Sequence, residues 1–586
     1  MKSLKFLSLV CLFCIQNISA FADDPFEVDG VWYQILFDSW QDPDNKYAQV
    51  CHPPYNIENP YQYYSGVINI AESVEQDGVT YPVRKIQNSA FRGQTEVTTV
   101  VFPKSLQTID YRAFWGCKPL RSIVFRTPSN LQNIEREAFY GCSNLTSITI
   151  PNSVTYIGED VFHGCTGLKN VKGGESIEIL DNNAFQGCIS LTEITIPKSV
   201  KTIGDYAFWE CSALKTVIMN EGLEVIGNDA FLQCKVLENV TIPNTVKEIG
   251  WEAFRWCINL TSIEIPNSVE KMGYGVFRYC TWLRDVKLGD SLKEIPAYAF
   301  EQTPITSIKI PNSVTSILGY AFRECVYLQE IEWGNSLESI SGEAFAETGF
   351  TRLVLPEPLK RIYQDAFCKC ENLTEVTIPR TVNQIMDGAF QVCKNLKTVY
   401  NLATIPQDIP YTSCPFVKCD YPVEVHVYEG LKELYEKNIG WEQAIASNWV
   451  RIIDDIPLVK ATSVTINDAP YFIEVGGVGQ ATATIYPENV ASNELSWSSS
   501  DESVLYIEEF TGQYVGLSDG SVTITATATD GSGVKGSASV FVGQTDDGIS
   551  PIRSFKQSDI IYNLKGQQLH KAAKGVNIVN GKKVIF

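Results

Sequence analysis

The sequence predicts a solenoid of stacked repeats, a parallel β-sheet with turns and short helices, followed by a small all-β sandwich. Three observations predict it. One motif recurs fourteen times in register, the composition changes near residue 457, and 586 residues are too many for one compact core.

The motif is Ile-x-x-x-Ala-Phe-x-x-Cys-x-x-Leu. Its Phe stands at 91, 114, 139, 162, 185, 208, 231, 254, 277, 300, 322, 345, 367 and 390. The spacing is 23 residues, except for one of 25 and two of 22. In the unit around Phe139, Leu145-x-x-Ile148-x-Ile150 is a leucine-rich-repeat signature whose alternation marks a strand with one buried face. Ile134 through Leu145 returns the chain on the opposite side by a turn or short helix. The residue before Phe is small so that the ring can pass into the core: it is Ala in twelve units, Val161 and Val276 in the others. Pro or Gly, as at Pro151, Gly173, Pro197 and Pro243, ends the strand at a fixed length. One unit cannot bury these side chains alone, but stacked units bury them as ladders of Phe, Ile and Cys. At about 4.8 Å per strand, fourteen units in one parallel sheet extend on the order of 65 Å.

Two of the seventeen cysteines lie in the first 22 residues, and eleven of the rest occupy one repeat position. Side chains one rung apart point the same way, which suits a disulfide poorly and a packed thiol ladder well. Thr303 and Thr348 take that place in two units. Cys414 and Cys419 are near enough in sequence to pair, while Cys51 and Cys368 have no evident partner.

Residues 1–22 read as a secretory signal, with Lys2 and Lys5, an apolar run from Phe6 to Ile15, and Ala20-Phe21-Ala22 before the cleavage point. Ten apolar residues are too few to span a bilayer, and no later stretch makes a transmembrane segment. The expected location is therefore secreted or at the outer cell surface. The domain plan continues with an N-terminal cap over 23–85, fourteen repeats over 86–400, and a C-terminal cap over 401–456. A sandwich over 457–545 and a basic tail over 546–586 complete it. Aromatics of the first cap, Trp32, Tyr33 and Trp40, are candidates for stacking on sugar faces. The net charge of −21 disfavours nucleic acid and anionic lipid, and the positive charge is concentrated after Pro551.

Nothing in the chain points to catalysis. His52, His163, His426 and His570 are isolated, and no HExxH, Walker-type loop or Gly-x-Ser-x-Gly elbow accompanies them. Adjacent acids such as Asp454-Asp455 and Glu508-Glu509 read as solvated strand positions. No cofactor and no metal are expected.

Function then falls to the outward strand positions. These are Ser147 and Thr149, Asn170 and Lys172, Ser262 and Glu264, Asp285 and Lys287, Ser307 and Lys309, Glu330 and Glu332, and Arg352 and Val354. The candidate ligand-binding residues are Lys172, Glu264, Asp285, Lys287, Lys309, Glu330, Glu332 and Arg352. Trp251, Trp256, Trp282 and Trp333 differ between units and mark a second candidate, a glycan surface.

The Ala-Phe-x-x-Cys-x-x-Leu blocks and residues 145–154 resemble the BspA-like leucine-rich repeats of bacterial surface proteins. That resemblance, over residues 86–400, implies an adhesin-like role toward an extracellular-matrix or cell-surface protein. Gly476-Gly477, Pro487, the run from Ser496 to Asp501, Val504, Gly516, Gly520 and Thr523 to Ala526 resemble the group 2 bacterial immunoglobulin-like domains. This implies a stalk, with Trp497 as its core anchor. Residues 560–569 and 574–584 are similar to C-terminal segments of exported Bacteroidetes proteins, which implies a sorting or attachment segment. The leading expectation is a protein-binding surface adhesin. The alternatives are a glycan-binding component of a carbohydrate-uptake system and a structural surface-layer component.

Overall fold

The computed structural model describes residues 24–39, 42–54, 64–410, 414–457, 459–487, 490, 492 and 494–543, with four short strands further on. Residues 1–22, where a signal is expected, lie outside the described residues, as do Trp40 and His570. The chain falls into two compact units, Met1–Val425 with Glu436–Arg451, and His426–Tyr435 with Ile452–Phe586.

The first unit is the solenoid. Each turn carries a lateral strand such as Ser147–Ile150 and, on the other side, a two-residue medial strand such as Asn133–Ile134. Lateral strands pair in parallel with the next rung, Ser147 opposite Asn170 and Thr149 opposite Lys172. Medial strands do the same, Ile134 opposite Ile157. The single parallel sheet expected from the sequence is thus two rows, and of the turn or short helix expected for the return, the structure has a medial strand followed by tight turns. Among the described residues the α-helices, Lys432–Glu436 and Ile439–Ala446, lie outside the repeats.

The turns explain why no helix forms. In every repeat the residue two before Phe and the residue two after it have positive φ, from Ser89 and Gly93 to Gly388 and Val392. Two left-handed residues within five reverse the chain each time and cannot sit in a helix. The Phe segment then extends like a strand: Phe139 N–H donates to the Val161 carbonyl at 3.0 Å, and Gly141 N–H to the His163 carbonyl at 2.8 Å.

The rings stack from Phe91 to Phe390 and one step further, to Phe416. Their centroids are 4.7–5.7 Å apart and their planes within 3–15° of parallel. Tyr64 covers the first ring at 4.5 Å, and Trp441 lies 6.4 Å from the last. Each buried ring contributes roughly 1.5–3 kcal/mol by leaving water, which offsets chain entropy only because neighbours share the burial.

Beside the rings runs the thiol ladder. Cys142, Cys165, Cys188 and Cys211 each donate from Sγ to the Phe carbonyl of the preceding rung, at 3.1–3.2 Å. Cys419 continues the series to Phe390 at 3.6 Å, and all described cysteines are free thiols. Cys419 is therefore a further rung of the ladder and not half of a bond to Cys414. Thr303 and Thr348 turn back to their own Phe carbonyls at 2.7 and 2.8 Å.

At the N-terminal end the hairpin Val31–Ser39 and Asp42–Val50 joins the medial row, Ala48 pairing with Val83. Tyr33 is buried there, and its hydroxyl accepts from Ala71 N–H at 3.1 Å. It is a core residue and cannot stack on a sugar.

The second unit contains the sandwich. Phe472–Glu474, Lys535–Gly543, Gly520–Ala528 and Leu495–Ser499 form one sheet in that order, and Val478–Gln480, Gln513–Gly516 and Leu505–Ile507 another. Trp497 is 5% exposed in the core with Ile473, Ile485, Ile524 and Val542. Glu508, expected to be a solvated strand residue, closes a turn by accepting from Phe510 N–H at 3.0 Å and Thr511 N–H at 2.6 Å. The Thr511 hydroxyl, donating at 2.7 Å, lowers its pKa first, and the two backbone bonds add to this. Four short antiparallel strands, Ile561–Asn563, Gln568–Leu569, Val576–Val579 and Lys582–Ile585, lie beyond the sandwich.

Candidate binding surface

Alternation along each lateral strand puts one set of side chains inside and its neighbours in solvent. In Ser262–Glu264, Ile263 is buried while Ser262 and Glu264 are exposed. Since successive strands pair in register, the outward residues line up as two columns. Lys172, Glu264, Asp285, Lys287, Lys309, Glu330, Glu332 and Arg352 all stand exposed on these columns.

The columns bring opposite charges together between rungs. Glu264 lies 3.7 Å from Lys287 and Lys309 is 2.5 Å from Glu332. Arg352 Nε donates to Glu375 at 3.1 Å, a partner that reading one repeat at a time does not reveal. Glu332 holds the Lys309 ammonium charged to higher pH than usual, and Glu375 does the same for Arg352. Each pair spans two strands of one sheet, and the lateral row is interrupted between Lys287 and Lys309 and again between Glu332 and Arg352. Lys172 belongs to a separate lateral sheet nearer the N-terminus and does not join the group.

Being largely exposed and screened by water, these pairs contribute little to folding. Their effect is to cancel the cations of the patch. Among Glu264, Asp285, Lys287, Lys309, Glu330, Glu332, Arg352 and Glu375 five acids face three bases, and Asp285 and Glu330 are the acids outside these pairs. The surface is acidic.

The tryptophans do not form one set. Trp251 and Trp282 are exposed, Trp256 is tilted against Tyr279 at 4.7 Å, and Trp333 donates Nε1–H to the Val354 carbonyl at 2.8 Å. Sequence reasoning missed a column on the turn side, where the Arg278 guanidinium sits between the Tyr279 and Tyr298 rings, 4.7 Å from each. Its ion-pair partner Glu301 is 2% exposed. Nearby, burial first and the Glu252 carboxylate second push the Asp229 carboxyl up to about 6.

Of the histidines, His163 pairs with Asp160 at 2.8 Å and His426 with Asp455 at 2.7 Å. Among the described residues no group of three His, Cys, Asp or Glu side chains is placed to hold a metal ion. No helix among them is long and apolar enough to cross a membrane.

Comparison with known proteins follows the same division. The model of the BspA-type leucine-rich-repeat region matches six copies over residues 72–192, 178–304 and 293–419. That of the group 2 bacterial Ig-like domain matches residues 460–538. An uncharacterised protein of Clostridium acetobutylicum is 31% identical over 109 residues, 18% of this chain and 26% of its own length. A second from that organism is 32% identical over 89 residues, 15% of this chain and 9% of its own. The chain thus spans less than a third of either relative. Among solved structures, a leucine-rich-repeat protein of Bacteroides ovatus is 28% identical, with 64% of this chain and 94% of that one covered and a TM-score of 0.47. A leucine-rich cell surface protein of Faecalibacterium prausnitzii is 24% identical, covering 65% and 95%, with a TM-score of 0.33. The pneumococcal vaccine antigen PcpA is 20% identical, covering 74% and 99%, with a TM-score of 0.40.

Proposed function

This chain belongs to the BspA-type leucine-rich-repeat family, and from that premise we propose that it is an exported surface protein that holds a protein partner on its lateral strand face. Both of its families, the repeat and the Ig-like domain, are typically non-catalytic binding modules. Export is supported by the sequence of residues 1–22, and a surface location by the family.

The observation that carries the reading is the outward face from Ser262 to Glu375, built of three strand pairs each in register. Rigid strands present it, and its cations are already bound to neighbouring acids. Asp285 and Glu330 supply the surplus charge, so the partner is a cell-surface or extracellular-matrix protein with a basic patch. Such an interface associates faster at low salt and weakens as salt screens it.

The test is surface plasmon resonance of the mature chain against collagen, laminin and mucin at two ionic strengths. Binding to at least one is expected, reduced tenfold or more by Asp285→Lys with Glu330→Lys. Reversing Lys287, Lys309 and Arg352 together breaks three pairs and is expected to change salt dependence as well as affinity. Unchanged binding by both variants would remove this face.

A further inference from the structure

The medial row runs without interruption from Ile86 to Met272 and from Ile295 to Ile385. Among the described residues it is broken once, between those two runs. The cause is a single residue. At the position four before Phe, Gly204, Gly227, Gly250 and Gly273 lie so near the preceding rung that a Cβ would come within 2.7 Å of its backbone. Each donates its N–H to the medial strand before it, Gly250 to the Ile226 carbonyl and Gly273 to the Ile249 carbonyl, both at 2.8 Å. The next rung has Pro296 in that place. Other rungs carry side chains there, as at Glu135 and Leu318, and still donate to the strand before them, whereas proline has no N–H to donate. No backbone N–H of the next rung reaches the Met272 or the Glu270 carbonyl, and pairing resumes only with Leu318 N–H on the Ile295 carbonyl at 2.9 Å.

The break opens a cleft of about 730 Å³, within the roughly 300–1,000 Å³ usual for small-ligand sites. Trp251 stands in its wall, 58% exposed, with the Tyr274 ring 5.5 Å away on the following rung. The remaining wall is mixed: Glu248, Glu270, Asp290 and Glu294 stand against Lys271 and Lys293, with Ile249, Met272 and Leu292 between them.

We propose that this cleft binds a neutral saccharide, one sugar face lying on the Trp251 indole and the hydroxyls bonding to the surrounding carboxylates, amines and backbone carbonyls. A pyranose has an apolar C–H face and a rim of groups that both donate and accept. It suits an open aromatic plane edged by donors and acceptors of both charges. Four acids against two bases turn away polyanions. A peptide adding as a strand would find only the two-residue edges Lys271–Met272 and Glu294–Ile295, too short to hold it. The site is on the row opposite the acidic lateral face and does not depend on the protein-binding reading.

Affinity electrophoresis of the full chain through gels containing starch, mannan, xylan or galactan, with heparin as the charged control, tests the proposal. At least one neutral polysaccharide is expected to retard the chain. Trp251→Ala should cut the apparent affinity tenfold or more, while Trp282→Ala, as exposed but outside the cleft, should leave it unchanged. Pro296→Gly restores the donor and should weaken binding by closing the gap. Melting curves of each variant check that the fold is kept, as expected for an exposed Trp251. Retardation by none of the neutral polymers, by heparin alone, or equally by the Trp251→Ala chain would overturn the proposal.

Discussion

The Sγ of Cys165 donates to the carbonyl of Phe139, 3.2 Å away on the preceding rung. The carbonyl is buried, so the thiol is both a filler and a donor to a group with little access to water. Cys211→Ala would remove a similar bond to Phe185 and leave a small cavity. We expect a loss of about 1–2 kcal/mol in urea denaturation, with a reduced midpoint.

The same ladder makes the fold sensitive to alkali. Burial pushes Cys117, Cys165, Cys211 and Cys325 up to about 12, against an ordinary value of 9.0. Between those values the unfolded chain loses protons that the folded chain keeps. The contribution is therefore complete below pH 9 and is lost as pH rises toward 12. Urea midpoints at pH 7, 8 and 10.5 should be nearly level over the first step and fall over the second. A thiol reagent should leave the ladder unlabelled in native protein at pH 8 and label it in urea.

Left-handed turn positions carry a cost that differs along the array. After Phe, the first five repeats use Gly, from Gly93 to Gly187, whereas Glu210, Gln233 and Trp256 adopt the same positive φ with a side chain. Gln233→Gly should stabilise by about 0.5 kcal/mol, the relieved strain exceeding the added freedom of the unfolded chain. Gly141→Ala should cost about 1 kcal/mol. Calorimetric midpoints moving in opposite directions would bear this out.

Asp229 should respond to pH in the sense opposite to most carboxylates. Its folded value of about 6 lies above the ordinary 3.8, so its favourable contribution is complete below pH 3.8 and lost as pH rises through 6. Asp229→Asn is expected to stabilise the protein at pH 7 by about 1 kcal/mol, allowing for partial exposure. That gain should vanish near pH 4. Asn also tolerates the φ of 53° at this position.

Glu301 and Arg278 supply the converse case. Removing a buried partner strands the other charge, here held between two tyrosine rings. Glu301→Ala should cost about 2–4 kcal/mol. Arg278→Lys, which keeps the charge but not the planar stack, should lose part of that. Denaturation of the two single variants and the double gives the coupling.

The ladders of Phe139, Cys142 and Leu145 were legible because burial imposes one residue type at one position of every turn. The medial row was not, since a two-residue strand is too short to show alternation. Phe416 and Cys419 keep the Phe-x-x-Cys spacing, but Pro415 replaces Ala and the step from Phe390 is 26 residues, which hid the extra rung. The lateral charges could be located from strand periodicity. Their pairing required register between rungs, and Glu375 emerged only when Arg352 was set opposite it. The turn-side column of Arg278 and Glu301 was invisible because its members come from successive turns and occupy positions that vary in type.

The break at Pro296 also has a mechanical consequence. Parallel rungs pulled from opposite ends share load through the backbone bonds between them, and a row lacking one set of bonds concentrates it. Under tension the medial row should part first between Met272 and Ile295. Each 23-residue turn drawn out from that seam would lengthen the chain by about 75–80 Å. A proline placed where four glycines lead would then set the site at which that row yields.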